Sequence, residues 1–122
     1  MLKRPQSNPS HKGQQKERLA EQYLIQQGLR PLTRNFRCKM GEIDLVMRDA
    51  DTTVFVEVRY RKNSAFGSAL ESVDFRKRSR LIRAAEFYLL RQSGANDYPS
   101  RFDVVAISGD DKIDWVENAF DC

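Results

Sequence analysis

Two short stretches of this chain carry acids at a spacing that could do chemistry: Glu42-Ile43-Asp44 and, further on, Phe55-Val56-Glu57-Val58-Arg59. Suppose the chain reverses between Ala50 and Asp51 in an antiparallel hairpin. Asp44 then faces Glu57, Glu42 faces Arg59 and Val46 faces Phe55, and facing residues share one side of the sheet. The other side collects Ile43, Leu45 and Met47 with Val54, Val56 and Val58, all apolar. A slip of one residue would destroy this sorting, so the pattern itself supports the register. Facing Cβ atoms lie about 4.5–5.5 Å apart, close enough for two carboxylates to repel unless something separates them. A hard divalent cation, Mg²⁺ or Mn²⁺, would do so, using one or two carboxylates with water and phosphate completing its shell. The bland alternative is a solvated hairpin face on which Arg59 and Arg61 neutralise the acids. Val46 and Phe55 on that face argue that it is partly covered.

A second chemical feature is a run of cations, Arg76, Lys77, Arg78, Arg80 and Arg83. It falls in the N-terminal half of an expected helix, where the helix dipole disfavours positive charge. Contact with nucleic-acid phosphates would explain the placement, and a solvated polar face is the plain alternative. His11 stands alone and is assigned nothing. Trp115, Tyr23 and Tyr88 are expected in the core or covering the sheet rather than stacking on bases.

The elements that must position these residues follow from periodicity. A helix is expected from about Gln14 to Gln27, with Leu19, Ala20, Tyr23 and Leu24 at helical spacing and Gly28 as its stop. Leu29–Arg37 reads as an irregular or edge strand, because Pro31 lies inside it. Glu42–Arg48 and Thr53–Arg61 are the hairpin strands, and residues 62–73 form a loop. A second helix runs from about Asp74 to Gln92. In it Leu81, Ala84, Ala85, Tyr88 and Leu89 form one apolar stripe, Asp74 is the N-cap and Gly94 the stop. Phe102–Ser108 and Lys112–Glu117 are two further strands joined through Gly109-Asp110-Asp111. The order αβββαββ predicts an α/β fold with a mixed central sheet flanked by helices.

The chain's 122 residues suit one domain, and a hydrophobic share of 40% beside 31% charged residues suits a folded one. Residues 1–12, polar, basic and broken by Pro5 and Pro9, are expected to be a flexible tail before a domain at 13–122. The net charge of +4 and pI near 9.3 are compatible with a nucleic-acid partner. Cys38 and Cys122 make no zinc pattern, and both read as free thiols of a reducing cytoplasm. Met1-Leu2-Lys3-Arg4-Pro5 has no apolar run after it, so no signal peptide is expected, and no stretch is long and apolar enough for a membrane helix.

Gly41-Glu42-Ile43-Asp44-Leu45 and Phe55-Val56-Glu57-Val58-Arg59, with Gly13, Glu17, Ala20 and Tyr23-Leu24 upstream, resemble the YraN-like family of small bacterial proteins. The likeness continues through Phe66-Gly67, Lys77 and Arg101-Phe102-Asp103-Val104-Val105. It implies a restriction-endonuclease-like core of the PD-(D/E)xK class, closest to archaeal Holliday-junction resolvases. By that resemblance Asp44 and Glu57 match the two acids of the superfamily and Glu17 matches its helical acid, so these three would bind the metal. Arg59 stands where the superfamily usually has lysine. A guanidinium can grip phosphate but cannot act as a base. Lys77 could move into the missing role, or be a surface lysine. The implied activity is metal-dependent hydrolysis of branched or damaged DNA, and resolvases act as dimers, which extends to a homodimer by analogy alone. Two other readings stand beside it: a DNA-binding module without catalysis, and a protein-interaction domain with a vestigial site.

Overall fold

The computed structural model describes residues 10–61, 73–92 and 98–120. The elements come in the expected order: α1 (Ser10–Gln26), β1 (Arg30–Cys38), β2 (Gly41–Asp49), β3 (Thr52–Arg61), α2 (Phe75–Arg91), β4 (Ser100–Ser108) and β5 (Ile113–Phe120). α1 begins before the expected Gln14, so residues 10–12, assigned to a tail, are helical. Pro9 is the last residue in that region whose ring would oppose a helix interior. Gly28 ends α1 as expected. At φ +104° its N–H bonds the Ile25 carbonyl, and Leu29 N–H bonds the Leu24 carbonyl at 3.0 Å, so the helix closes in a Schellman motif. Asp74 caps α2 through a 2.9 Å bond from the Lys77 N–H. Gly94, the expected stop of α2, lies outside the described residues, as do Arg61's side chain, the 62–72 loop and Cys122.

The five strands lie side by side in sequence order. All neighbours are antiparallel except β3 and β4, which are parallel and joined through α2. β1 is an edge strand, and its register with β2 shifts between Pro31 and Thr33. Proline there removes a ladder donor, which an edge tolerates.

Each helix covers one side of the sheet. Ala20 and Leu24 of α1 pack with Leu45, Met47, Val54, Val56, Val105 and Ile107. Leu81, Ala84, Ala85 and Tyr88 of α2 pack with Val46, Phe55, Phe102, Val104 and Ala106 on the opposite side. The β2–β3 hairpin is therefore apolar on both sides where it is fully paired. Leu45 pairs with Val56, Val46 with Phe55 and Met47 with Val54, which is the expected register. Ala50 takes φ +53°, making the turn without glycine.

One expectation needs correcting. Ile43 belongs with the α2 side, not with Leu45 and Met47. The β2–β3 ladder ends at Leu45↔Val56, and beyond it alternation no longer holds. The neighbouring strand changes sides at the same level: Arg34, paired with Leu45, turns to α1, whereas Phe36, paired with Ile43, packs on the α2 side. Between them Asn35 sits at φ +50°, a left-handed conformation that asparagine tolerates better than most residues.

Candidate functional site

The change of sides places Asp44 at the point where β2 and β3 part. Its Oδ2 accepts the Val58 N–H at 2.8 Å. A side chain thus takes a strand donor that the interrupted ladder leaves to it. Asp44 is partly exposed, yet burial pushes its carboxyl well above the usual aspartate range, and the charges of Glu57 and Glu17 push the same way. Glu17 reaches this point from α1. Burial raises its carboxyl too, opposed by a hydrogen bond from Asn35 Nδ2 to Oε1 at 2.9 Å, and the Glu42 charge adds to the rise.

Glu57 is only 4% exposed and lies one position past the last ladder pair, on the α2 side with Phe55. Its Oε2 has two cationic neighbours, Lys77 Nζ at 3.2 Å and Arg59 Nη1 at 3.4 Å. Lys77, on the first turn of α2, is thereby brought to the acid that Arg59 also touches. Gly41 permits this approach of helix to strand. A Cβ there would meet the Arg80 Cβ at 3.3 Å, and φ +157° further favours glycine.

The structure therefore gathers Glu17, Asp44, Glu57, Arg59 and Lys77 from α1, β2, β3 and α2. Among the described residues no three acids, histidines or cysteines stand close enough to enclose a metal ion. The donors fit a more open arrangement. Asp44 keeps Oδ1 beyond its bond to Val58, and burial raises its carboxyl. Two carboxylates completed by water and phosphate oxygens are an ordinary shell for a hard divalent cation.

The basic run divides by geometry. Arg76, Arg80 and Arg83 are exposed and recur at i, i+4 and i+7, one stripe of α2. Arg78 is turned inward: its Nε donates to the Val73 carbonyl at 3.0 Å and its guanidinium lies over the Phe120 ring. Tyr88 is buried, and Tyr23 meets Trp115 edge to face, as core and cover residues do.

Comparison with known proteins gives the chain a family. The model of the uncharacterised protein family UPF0102 matches residues 16–107, from just before Glu17 to the end of β4. The chain belongs to that family. A UPF0102 protein of Pseudomonas putida (strain W619) is 52% identical over 122 residues, covering 97% of this chain and 99% of its own length. One from Pseudomonas fluorescens (strain Pf0-1) is 53% identical, with 96% and 98% covered. One from Ectopseudomonas mendocina (strain ymp) is 54% identical, with 89% and 93% covered. No helix among the described residues is long and apolar enough to cross a membrane.

Within this UPF0102 chain, sequence reasoning missed two groups of residues. Glu21 is 2% exposed and held by Arg34 Nε at 2.9 and 3.0 Å. With Glu17, Arg34 and Asn35 it lines a cavity of about 150 Å³ between α1 and the sheet. Glu21 follows Glu17 by one helical turn, and that i, i+4 spacing was the available signal. A second missed group is the anchor of the parallel strand. Asp103 is fully buried and receives Arg101 Nε, Trp115 Nε1 and the Asn118 N–H at 2.9–3.0 Å.

Proposed function

We propose that this protein is a metal-dependent endonuclease of the PD-(D/E)xK class, hydrolysing phosphodiesters in branched or damaged DNA. The observation that carries the reading is the meeting of Glu17, Asp44 and Glu57 where β2 and β3 part, with Lys77 Nζ 3.2 Å from Glu57. A polar constellation at the split end of a strand pair, fed by both flanking helices, is costly unless it binds something.

Asp44 and Glu57 would hold Mg²⁺ or Mn²⁺, with Glu17 flanking them. The ion supplies Lewis acidity and a water of lowered pKa. The rest falls to the chain. Lys77 stands where its ammonium can neutralise charge on a phosphoryl oxygen, taking the part that a lysine at position 59 would play. Arg59, always charged, grips phosphate and orients it but removes no proton. Arg76, Arg80 and Arg83 hold the flanking backbone, which fixes position without reading sequence. DNA placed along this stripe would lie beside the start of α2, where Lys77 meets Glu57.

The test is cleavage of duplex, flap and four-way-junction DNA with Mg²⁺ or Mn²⁺, comparing wild type with Asp44→Asn and Lys77→Ala. Metal-dependent cutting, abolished by the first variant and reduced by the second, is the expected result. The absence of cutting on every substrate, together with no metal effect on melting temperature, would sink the enzymatic reading. One observation favours a second reading, a DNA-binding module without catalysis: Glu57 is paired with Lys77 and Arg59. Salt-sensitive DNA binding with no cleavage would select it.

A further inference from the structure

At the other end of the sheet, between the β2–β3 turn and the C-terminal half of α2, lies a cavity of about 260 Å³. Two of its walls carry polar atoms left without partners. Thr53 is 1% exposed, and its Oγ1 makes no hydrogen bond among the described residues. Arg48 is partly exposed, but its Nε is buried and equally unpartnered. Buried donors and acceptors almost always find partners, and an isolated failure calls for an occupant. Both residues line the one cavity.

The remaining walls give that occupant a character. Thr33 Oγ1 and Tyr88 Oη lie 3.4 Å apart at the cavity, and the Gln92 amide borders it. The Arg48 guanidinium stands 5.2 Å from the centre of the Tyr98 ring, a residue 47% exposed. Among the described residues no carboxylate pairs with Arg48. A fixed cation, several hydroxyl and amide groups and an aromatic rim suit an oxyanion carried on a flat or apolar body. The carboxylate site is separate: Thr53 and Glu57 lie four residues apart on one side of β3, roughly 13 Å, and Phe55 fills the space between.

We infer that this cavity is a binding site for a small oxyanionic ligand, a phosphate or carboxylate group, with Arg48 as its charge partner, Thr53 Oγ1 as its buried hydrogen-bond partner and Tyr98 as its rim.

The experiment follows Arg48 Nε–H and backbone amides by NMR in the full chain. The probes are inorganic phosphate, adenosine monophosphate and benzoate at millimolar concentration, with no DNA or divalent ion, so the outcome stands apart from the nuclease reading. A saturable shift at Arg48 is expected, at least about tenfold weaker in Arg48→Gln, as for loss of a charge-assisted hydrogen bond. Phosphate alone responding would assign a free-anion site. Stronger response to the monophosphate or benzoate would assign an anion on a planar body. Thr53→Val guards against misfolding: it removes an unpartnered hydroxyl, so the free protein should melt no lower, while binding weakens. The inference is overturned if no probe gives a saturable shift or if Arg48→Gln responds like wild type.

Discussion

Replacing Asp44 by Asn should stabilise the protein, an unusual outcome for a substitution at a partly buried polar residue. Asparagine keeps an oxygen for the Val58 N–H, so the one hydrogen bond that Asp44 makes to the backbone survives. What is lost is a carboxylate pushed upward by burial and by Glu57 and Glu17. Relief of unfavourable charge of this kind is commonly worth about 0.5–2 kcal/mol. In a domain of this length that corresponds to a melting temperature higher by roughly 2–10 °C. The pH dependence fixes the cause. Asp44 titrates higher in the folded chain than in the unfolded one, so between those two values the folded state holds the extra proton. Wild-type stability therefore falls as pH rises through that window, and the penalty is complete above the folded value. The advantage of Asp44→Asn should grow as pH rises through that window and vanish as pH falls toward about 4, the ordinary aspartate value. Thermal denaturation of both proteins across this range is the assay. If a cation sits there, Mn²⁺ at a hundredfold excess over its Kd should stabilise wild type by about 2.7 kcal/mol and leave the variant unmoved. A variant less stable than wild type at pH 7, or an advantage that does not shrink on acidification, would refute the electrostatic account.

Other changes should separate the roles of neighbouring groups. Lys77→Met takes from Glu57, 4% exposed, its closer cation and leaves the longer contact to Arg59, and should cost about 1–3 kcal/mol in urea denaturation at neutral pH. Restoring Glu57→Gln in the same chain should recover most of that loss. Arg76, Arg80 and Arg83 changed together to Ala should weaken binding to any DNA sequence and reduce the salt slope by roughly three, measured by fluorescence anisotropy, with the melting temperature unchanged. Asp103→Ala removes the shared acceptor of Arg101, Trp115 and Asn118 and should cost about 3–5 kcal/mol, with native tryptophan fluorescence altered.

The hairpin register was legible because its pattern is local. Leu45, Met47, Val54 and Val56 alternate with residues that must lie on the other side, and only one pairing satisfies them all. The helix ends were legible for the same reason, since Gly28 and Asp74 act through bonds to residues a few positions away. Ile43 was misplaced because its side depends on where the ladder stops, and that depends on a third strand. Only Asn35, a poor strand former in the middle of β1, hinted at the interruption. Asp103 could not be told from a solvated acid, and Glu21 had only its spacing from Glu17 as a sign, because their burial rests on Arg34, Arg101 and Trp115, which the fold supplies from elsewhere in the chain.

The misplacement of Ile43 bears on the site itself. Had β2 alternated regularly, Asp44 would face Glu57 squarely on the α2 side and stand apart from α1. Because both β1 and β2 change sides at this level, Asp44 lies between the two faces, feeling Glu17 from one and Glu57 from the other. A sheet covered by helices on both sides offers few places where polar groups from both layers can meet. The parting of two strands is one of them. The left-handed Asn35 that accompanies the parting donates to Glu17, so the residue that accommodates the backbone also orients one of the acids. Its replacement by a β-branched residue would strain the backbone and release Glu17 at once, coupling the local fold to the composition of the site.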